Sequence, residues 1–166
     1  MNRSKFQVEH LTESRWAEGR DLRLEALREE PFAFGSSYKE ESLLSEKEWK
    51  ARNRNALYVM ENNIPVGMMV LIRHSNQKIK HIGNIYGLFV KMSHRGRGIG
   101  NLLIEKAIQI HNQLGYIKKI RLAVNREQES AIALYKKHGF SVTGIFRKEI
   151  YYKGTYYDEL IMELLL

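Results

Sequence analysis

The spacing of apolar and polar residues along this chain changes period several times, and each change marks an element. Residues 6–11, Phe-Gln-Val-Glu-His-Leu, alternate and predict a half-buried strand. Over 16–28, Trp16, Leu22, Leu24, Ala26 and Leu27 form an imperfect helical stripe. Thr12 or Ser14 can cap that helix, and Pro31 stops it. Residues 32–37 read as a loop carrying exposed aromatics, and 46–54 as a short helix capped by Ser45. Two strands, 56–61 and 64–73, flank the turn pair Asn62-Asn63, and 75–77 form a loop. The strand 81–90 ends in Leu88-Phe89-Val90, apolar throughout, as a central strand should be.

A stronger helical pattern follows. Leu102, Leu103, Ala107, Ile108, Ile110 and Leu114 recur at helical spacing, and Gly115 is suited to the C-terminal cap. Residues 120–124 predict a strand, 129–138 a helix ended by Gly139, and 141–152 with 156–164 a closing hairpin around Lys153-Gly154. The order is strand, two helices, strands, helix, strand, helix, hairpin. That order defines a mixed α/β (α+β) fold in a single domain spanning 1–166.

Composition narrows the chemistry. With 43% hydrophobic residues over 166 positions, the chain can bury a substantial core. It has no cysteine, so disulfides, thiolate metal sites and a cysteine nucleophile are excluded. Residues 1–5 run straight into Phe6 without an apolar leader, and no apolar run is long enough to span a membrane. A cytoplasmic protein without membrane partners is expected. The formal net charge of +8 favours anionic ligands, although the charge is spread along the chain rather than gathered in a tail. No helix-turn-helix pattern, zinc spacing or aromatic-basic RNA signature accompanies it, so no nucleic-acid partner is expected.

One segment brings these strands together. Arg95-Gly96-Arg97-Gly98-Ile99-Gly100 lies between the apolar strand and the strongly periodic helix. Glycines let backbone amides approach an anion closely, and a helix's first turn offers unpaired N–H groups and partial positive charge. Arg95 and Arg97 can add charge at the same place. A diphosphate is the natural ligand. A P-loop requires Gly-Lys-Ser/Thr after the glycines, whereas Asn101-Leu102 follows here. The dinucleotide fingerprint has other glycine spacing and sits near the first strand.

These residues resemble the GNAT superfamily of N-acetyltransferases, in its small bacterial form. The loop matches the Arg/Gln-x-x-Gly-x-Gly/Ala signature, and residues 131–140, Ala-Ile-Ala-Leu-Tyr-Lys-Lys-His-Gly-Phe, look like the helix after the fifth strand. Leu88-Phe89-Val90 looks like the fourth strand, and the resemblance covers about residues 5–165. It implies a mostly antiparallel twisted sheet of about seven strands, splayed between the fourth and fifth, with about four helices. It implies acetyl-CoA as co-substrate and no metal. The pantetheine arm would pair with the main chain of Leu88, Phe89 and Val90. Amides of Arg95, Gly96, Arg97, Gly98, Ile99 and Gly100, with Asn101, would hold the pyrophosphate. Tyr135 matches the tyrosine near the thioester sulfur, a general acid for the departing thiolate. Gln128 stands where many members carry a cofactor-contacting asparagine, and Asn125, one turn earlier, is the other candidate.

The acceptor side is less defined. Several relatives place a glutamate on the fourth strand, but Asn84, Ile85 and Tyr86 stand here, and His81, Glu25 and Glu41 are unsupported substitutes as general base. The resemblance puts residues 31–44 and 151–157 beside the acceptor, and Phe32, Phe34, Tyr38, Tyr151, Tyr152, Tyr156 and Tyr157 make both segments aromatic. That pattern suits a partly apolar amine, small-molecule or peptide, or a homodimer surface. The competing readings are a non-catalytic CoA-binding sensor and a basic nucleic-acid-binding module.

Overall fold

The computed structural model describes residues 5–166. The segment 1–4, where the sequence predicts no apolar leader, lies outside the described residues. Seven strands form one sheet: β1 Gln7–Glu9, β2 Ala56–Glu61, β3 Ile64–Arg73, β4 Ile82–Val90, β5 Lys119–Asn125, β6 Ser141–Tyr152 and β7 Thr155–Leu165. Their spatial order is β1-β2-β3-β4-β5-β7-β6. Every adjacent pair is antiparallel except β4–β5. The helices are α1 Trp16–Glu29, α2 Tyr38–Glu41, α3 Glu46–Asn53, α4 Ile99–Gln113 and α5 Glu129–Lys137.

Both faces of the sheet are covered over β2 and β3, which explains their unbroken apolar runs. Leu57 and Val59 join the core that α4 and α5 seal, with Leu103, Ile104 and Tyr135. Ala56, Tyr58 and Met60 point the other way, into a core completed by Leu11, Leu22 and Ala26 of the α1 side. The alternation is the period of two of a pleated strand. On α4 the buried positions are Ile99, Leu103, Ile104, Ala107 and His111. Leu102, Ile110 and Leu114 of the expected stripe are only half-buried. Truncating a fully buried leucine such as Leu103 to alanine costs about 2–5 kcal/mol.

Four of the helices lie where the hydrophobic pattern puts them. The fifth, α2, falls in the segment between Pro31 and Ser45 and forms because Ser37 and Glu40 cap it reciprocally. Ser45 and Glu48 cap α3 in the same way. Thr12 makes no capping bond; its hydroxyl meets that of Ser14 instead. Phe32 and Phe34 are half-buried rather than exposed, and Phe32 stacks on Tyr157 at 5.6 Å.

The sheet opens at its centre. β4 pairs with β5 only from Ile82 to Asn84, opposite Lys119 to Arg121. Beyond that point β4 keeps β3 as its partner up to Val90, and β5 keeps β7 up to Asn125. A bulge in β4 accompanies the parting. Tyr86 faces Val70 and Phe89 faces Met68, so β4 carries one residue more than β3 over this stretch. Gly87 takes a φ of +60°, a conformation that glycine adopts at little cost.

Candidate active site

The parted strands leave one edge of residues 85–90 without a ladder partner. Leu88, Phe89 and Val90 lie on this stretch, with the Phe89 side chain buried. An extended, amide-bearing group can pair there as an added strand would.

The glycine loop sits at the end of that edge. α4 starts at Ile99, with Gly98 as N-cap at φ +83° and Gly96 at φ +73°. The first helical bond from this end runs from Leu102 N to Gly98 O at 3.1 Å. Among the described residues, the backbone N–H groups of Gly96, Arg97, Gly98, Ile99, Gly100 and Asn101 donate to nothing. A Cβ at Gly96 or Gly98 would meet no atom within 4 Å, so the surface above them is open. Consecutive free amides, left-handed glycines and a helix N-terminus together fit a phosphate-bearing ligand. Gly100 has another reason to be glycine: its Cβ would stand 2.9 Å from Leu134 Cδ2, where α4 meets α5.

The two arginines are already held. Arg97 donates to Glu61 at 2.6 Å, and Arg95 donates to the Val90 carbonyl at 3.0 Å and pairs with Glu30 at 3.0 Å. Glu61, at the end of β2, also takes His94 at 2.9 Å and Lys5 at 3.1 Å. These donors, Arg97 foremost, push its pKa down to about 2. Glu61 therefore acts as a fixed anionic anchor beneath the loop.

Tyr135 is buried, in the α4–α5 core, with its ring 6.0 Å from that of Phe140. Burial pushes the phenol's pKa well above its ordinary value, so the hydroxyl keeps its proton at neutral pH. Gln128 is the N-cap of α5 and makes no side-chain capping bond. Asn125 has partners within the chain. Its Nδ2 donates to Phe32 O at 2.8 Å and its Oδ1 accepts from Glu127 N at 2.9 Å. Both ends of the amide are engaged within the chain, so it clasps the 31–33 turn to the end of β5. The Asn101 side chain is likewise occupied, accepting from Lys137 and His138 at 3.0 Å each.

On the α1 side of the opening lies a cavity of about 900 Å³. Met68, Val70 and Ile72 of β3, Tyr86 and Gly87 of β4, and Ala123 of β5 line it from the sheet. Phe34, Gly35 and Ser36 line it from the 31–44 segment, and the hairpin contributes Glu149, Ile150 and Glu159 rather than its tyrosines. Tyr156 and Tyr157 border a separate cavity of about 540 Å³.

Glu149 and Glu159 are the carboxylates that the pattern along the chain did not single out. Opposite β7, β6 carries two extra residues between Phe146 and Ile150, and Lys148 there has φ +54°, its N–H bound to Asp158 Oδ1 at 2.8 Å. Burial, then the Glu149 charge, raises the pKa of Glu159 above its ordinary value. Glu25 pairs instead with Lys91 at 3.1 Å, and Glu41 is a buried partner of Arg23 and Arg52. Burial works against the Glu41 charge, but the two arginines outweigh it and its pKa is lowered.

An open strand edge and a loop of free amides at the start of α4 thus flank the parting of a splayed sheet. The model of the acetyltransferase (GNAT) family matches residues 20–140, and the chain belongs to that family. It is 36% identical over 86 residues to a peptidyl-lysine N-acetyltransferase, YjaB, of Escherichia coli, covering 52% of this chain and 48% of that one. The chain spans about half the length of the curated relatives it matches. In structure it is similar to an acetyltransferase of the GNAT family from Streptococcus pneumoniae, with a TM-score of 0.85 at 21% identity over 97% of this chain and 99% of that one. The yncA protein of Salmonella typhimurium, whose structure carries its cofactor acetyl-CoA, aligns with a TM-score of 0.79 at 16% identity over 98% and 94%.

Proposed function

We propose that this chain is an N-acetyltransferase that takes acetyl from acetyl-CoA and gives it to a primary amine in a ternary complex. The observation that carries this reading is the row of free backbone N–H groups from Gly96 to Asn101 at the end of an unpaired strand edge. Those amides would hold the pyrophosphate, and the main chain of Leu88, Phe89 and Val90 would hold the pantetheine arm. Bound there, acetyl-CoA supplies an activated thioester. Tyr135 retains a proton to donate, and the apolar wall of its surroundings keeps water away. Gln128, with an uncommitted amide at the mouth of α5, is the better of the two candidate side chains for cofactor contact, since Asn125 is engaged elsewhere.

With no cysteine to carry an acyl group, direct attack by the amine is the consistent route. No helix among the described residues is long and apolar enough to cross a membrane, in keeping with a cytoplasmic location. The exposed Val142, Ile145 and Phe146 of edge strand β6 support a homodimer through that edge. The test is CoA release in the presence of acetyl-CoA and a panel of amines. Amine-dependent release supports the reading, and binding without release on any small-molecule, peptide or protein amine contradicts it in favour of a sensor.

A further inference from the structure

The cavity on the α1 side carries charge of both signs, and its two ends are differently disposed. At the β4 side stands Arg23. Its Nε and Nη2 donate to the two oxygens of Glu41 at 3.0 and 2.9 Å, and its guanidinium stacks over Phe34 at 4.6 Å. This fork and stack fix the side chain, which is 14% exposed. Nη1 donates to nothing among the described residues and lies 3.4 Å from where a Cβ on Gly87 would stand, at the bulge where β4 leaves β5. Arg52, also on the cavity wall, shares Glu41 at 3.0 Å, so two guanidinium charges answer one buried carboxylate and leave one positive charge over.

At the β6–β7 side stand Glu149 and Glu159. Neither carboxylate has an ion pair among the described residues, and each faces the other's charge. Two like charges brought to one wall without a cation leave a place for one. Between the ends the surface is apolar, formed by Phe34, Met68 and Ile72. Trp49, which is 2% exposed, lines the same cavity with its indole N–H lacking an acceptor.

We infer that the acceptor is a small amino carboxylate with an apolar side chain. Its carboxylate meets the free Nη1 of Arg23, its ammonium meets Glu149 and Glu159, and its side chain lies on the apolar floor. The inference rests on the acetyltransferase reading of the same site and adds the acceptor's class to it. A guanidinium pre-positioned by two hydrogen bonds recognises a carboxylate at little entropic cost.

The test compares each amino acid with its decarboxylated amine: L-leucine with isoamylamine and L-phenylalanine with phenethylamine, at saturating acetyl-CoA. A charge-assisted contact contributes about 1.5–3 kcal/mol, so kcat/KM should favour the amino acid by roughly 10- to 100-fold. Arg23→Lys should erase most of that preference, read as the ratio of the two kcat/KM values within the one variant, and Glu159→Gln should lower both series. The wild-type comparison stands even where Arg23→Lys fails to fold. Equal or faster turnover of the decarboxylated amines, or acetylation of peptide amines alone, overturns the inference and leaves the donor reading intact. Failure of the wild type to bind acetyl-CoA overturns the donor reading instead.

Discussion

Gly100 and Leu134 meet where α4 crosses α5, with room for a hydrogen but not for a methyl group: a Cβ on Gly100 would lie 2.9 Å from Leu134 Cδ2. Gly98, two residues earlier, has nothing within 4 Å of its Cβ position but holds φ +83°. The two positions thus oppose a side chain for different reasons. Gly98→Ala should lose about 1–2 kcal/mol to left-handed strain. Gly100→Ala should cost less than about 1 kcal/mol, because the Leu134 methyl can move and alanine gains helix propensity. Urea unfolding of both variants measures the difference, and the reverse order would refute this assignment.

Tyr135→Phe keeps the buried ring and removes the proton. Turnover should fall by roughly 10²- to 10⁴-fold, the usual worth of a positioned general acid. Acetyl-CoA affinity and thermal midpoint should stay close to wild type. Steady-state kinetics beside a melting curve test this; an unchanged kcat would remove Tyr135 from the chemistry.

Glu61 ties the glycine loop to β2 through Arg97 and His94. Its pKa is held at about 2, below the unfolded value near 4.3. A depressed carboxylate contributes stability that is present above the unfolded value and is lost as pH falls through the folded one. The thermal midpoint of the wild type should therefore drop between about pH 4.5 and 2 more steeply than that of Glu61→Gln. Parallel curves would show that the anchor carries no charge-dependent stability.

His111 titrates in the opposite direction of charge. It is fully buried on α4, with Nδ1–H donating to Ala107 O at 2.7 Å and Nε2 without a partner. Gly83 of β4 makes room for it, since a Cβ there would collide with the ring. Burial lowers its pKa most, the Ala107 carbonyl opposes this, and Arg73 adds to the lowering. The unfolded chain then binds the proton more readily. Stability from this group is full above the unfolded value near 6.5 and declines as pH falls below it. His111→Leu should flatten the melting curve against pH between about 7 and 5, relative to wild type.

Most elements were legible in the sequence because their periods were clean. β2, β3 and β6 have the predicted bounds, and the Ser45 cap of α3 is in place. The capping pair Ser37 and Glu40 was also written in the sequence, but four helical residues carry too little periodicity to reveal α2. The glycine loop was legible as the turn that opens α4, with Gly98 at its N-cap. The cavity on the α1 side was not, because its charges come from α1, α3, β6 and β7 and meet only in the folded chain. Asn125 shows the same limit: its partner, Phe32, lies 93 residues away, so this clasp was not readable from local sequence. Gly87 is a further local signal, since a lone glycine inside a strand marks a bulge.

Calorimetric titration of acetyl-CoA into the wild type and into Gly98→Asp tests the central claim most directly. The free amides from Gly96 to Asn101 predict saturable one-to-one binding by the wild type, lost when a carboxylate is set among them. A wild type that binds no acetyl-CoA, or a Gly98→Asp variant that folds and binds it equally well, would contradict the account.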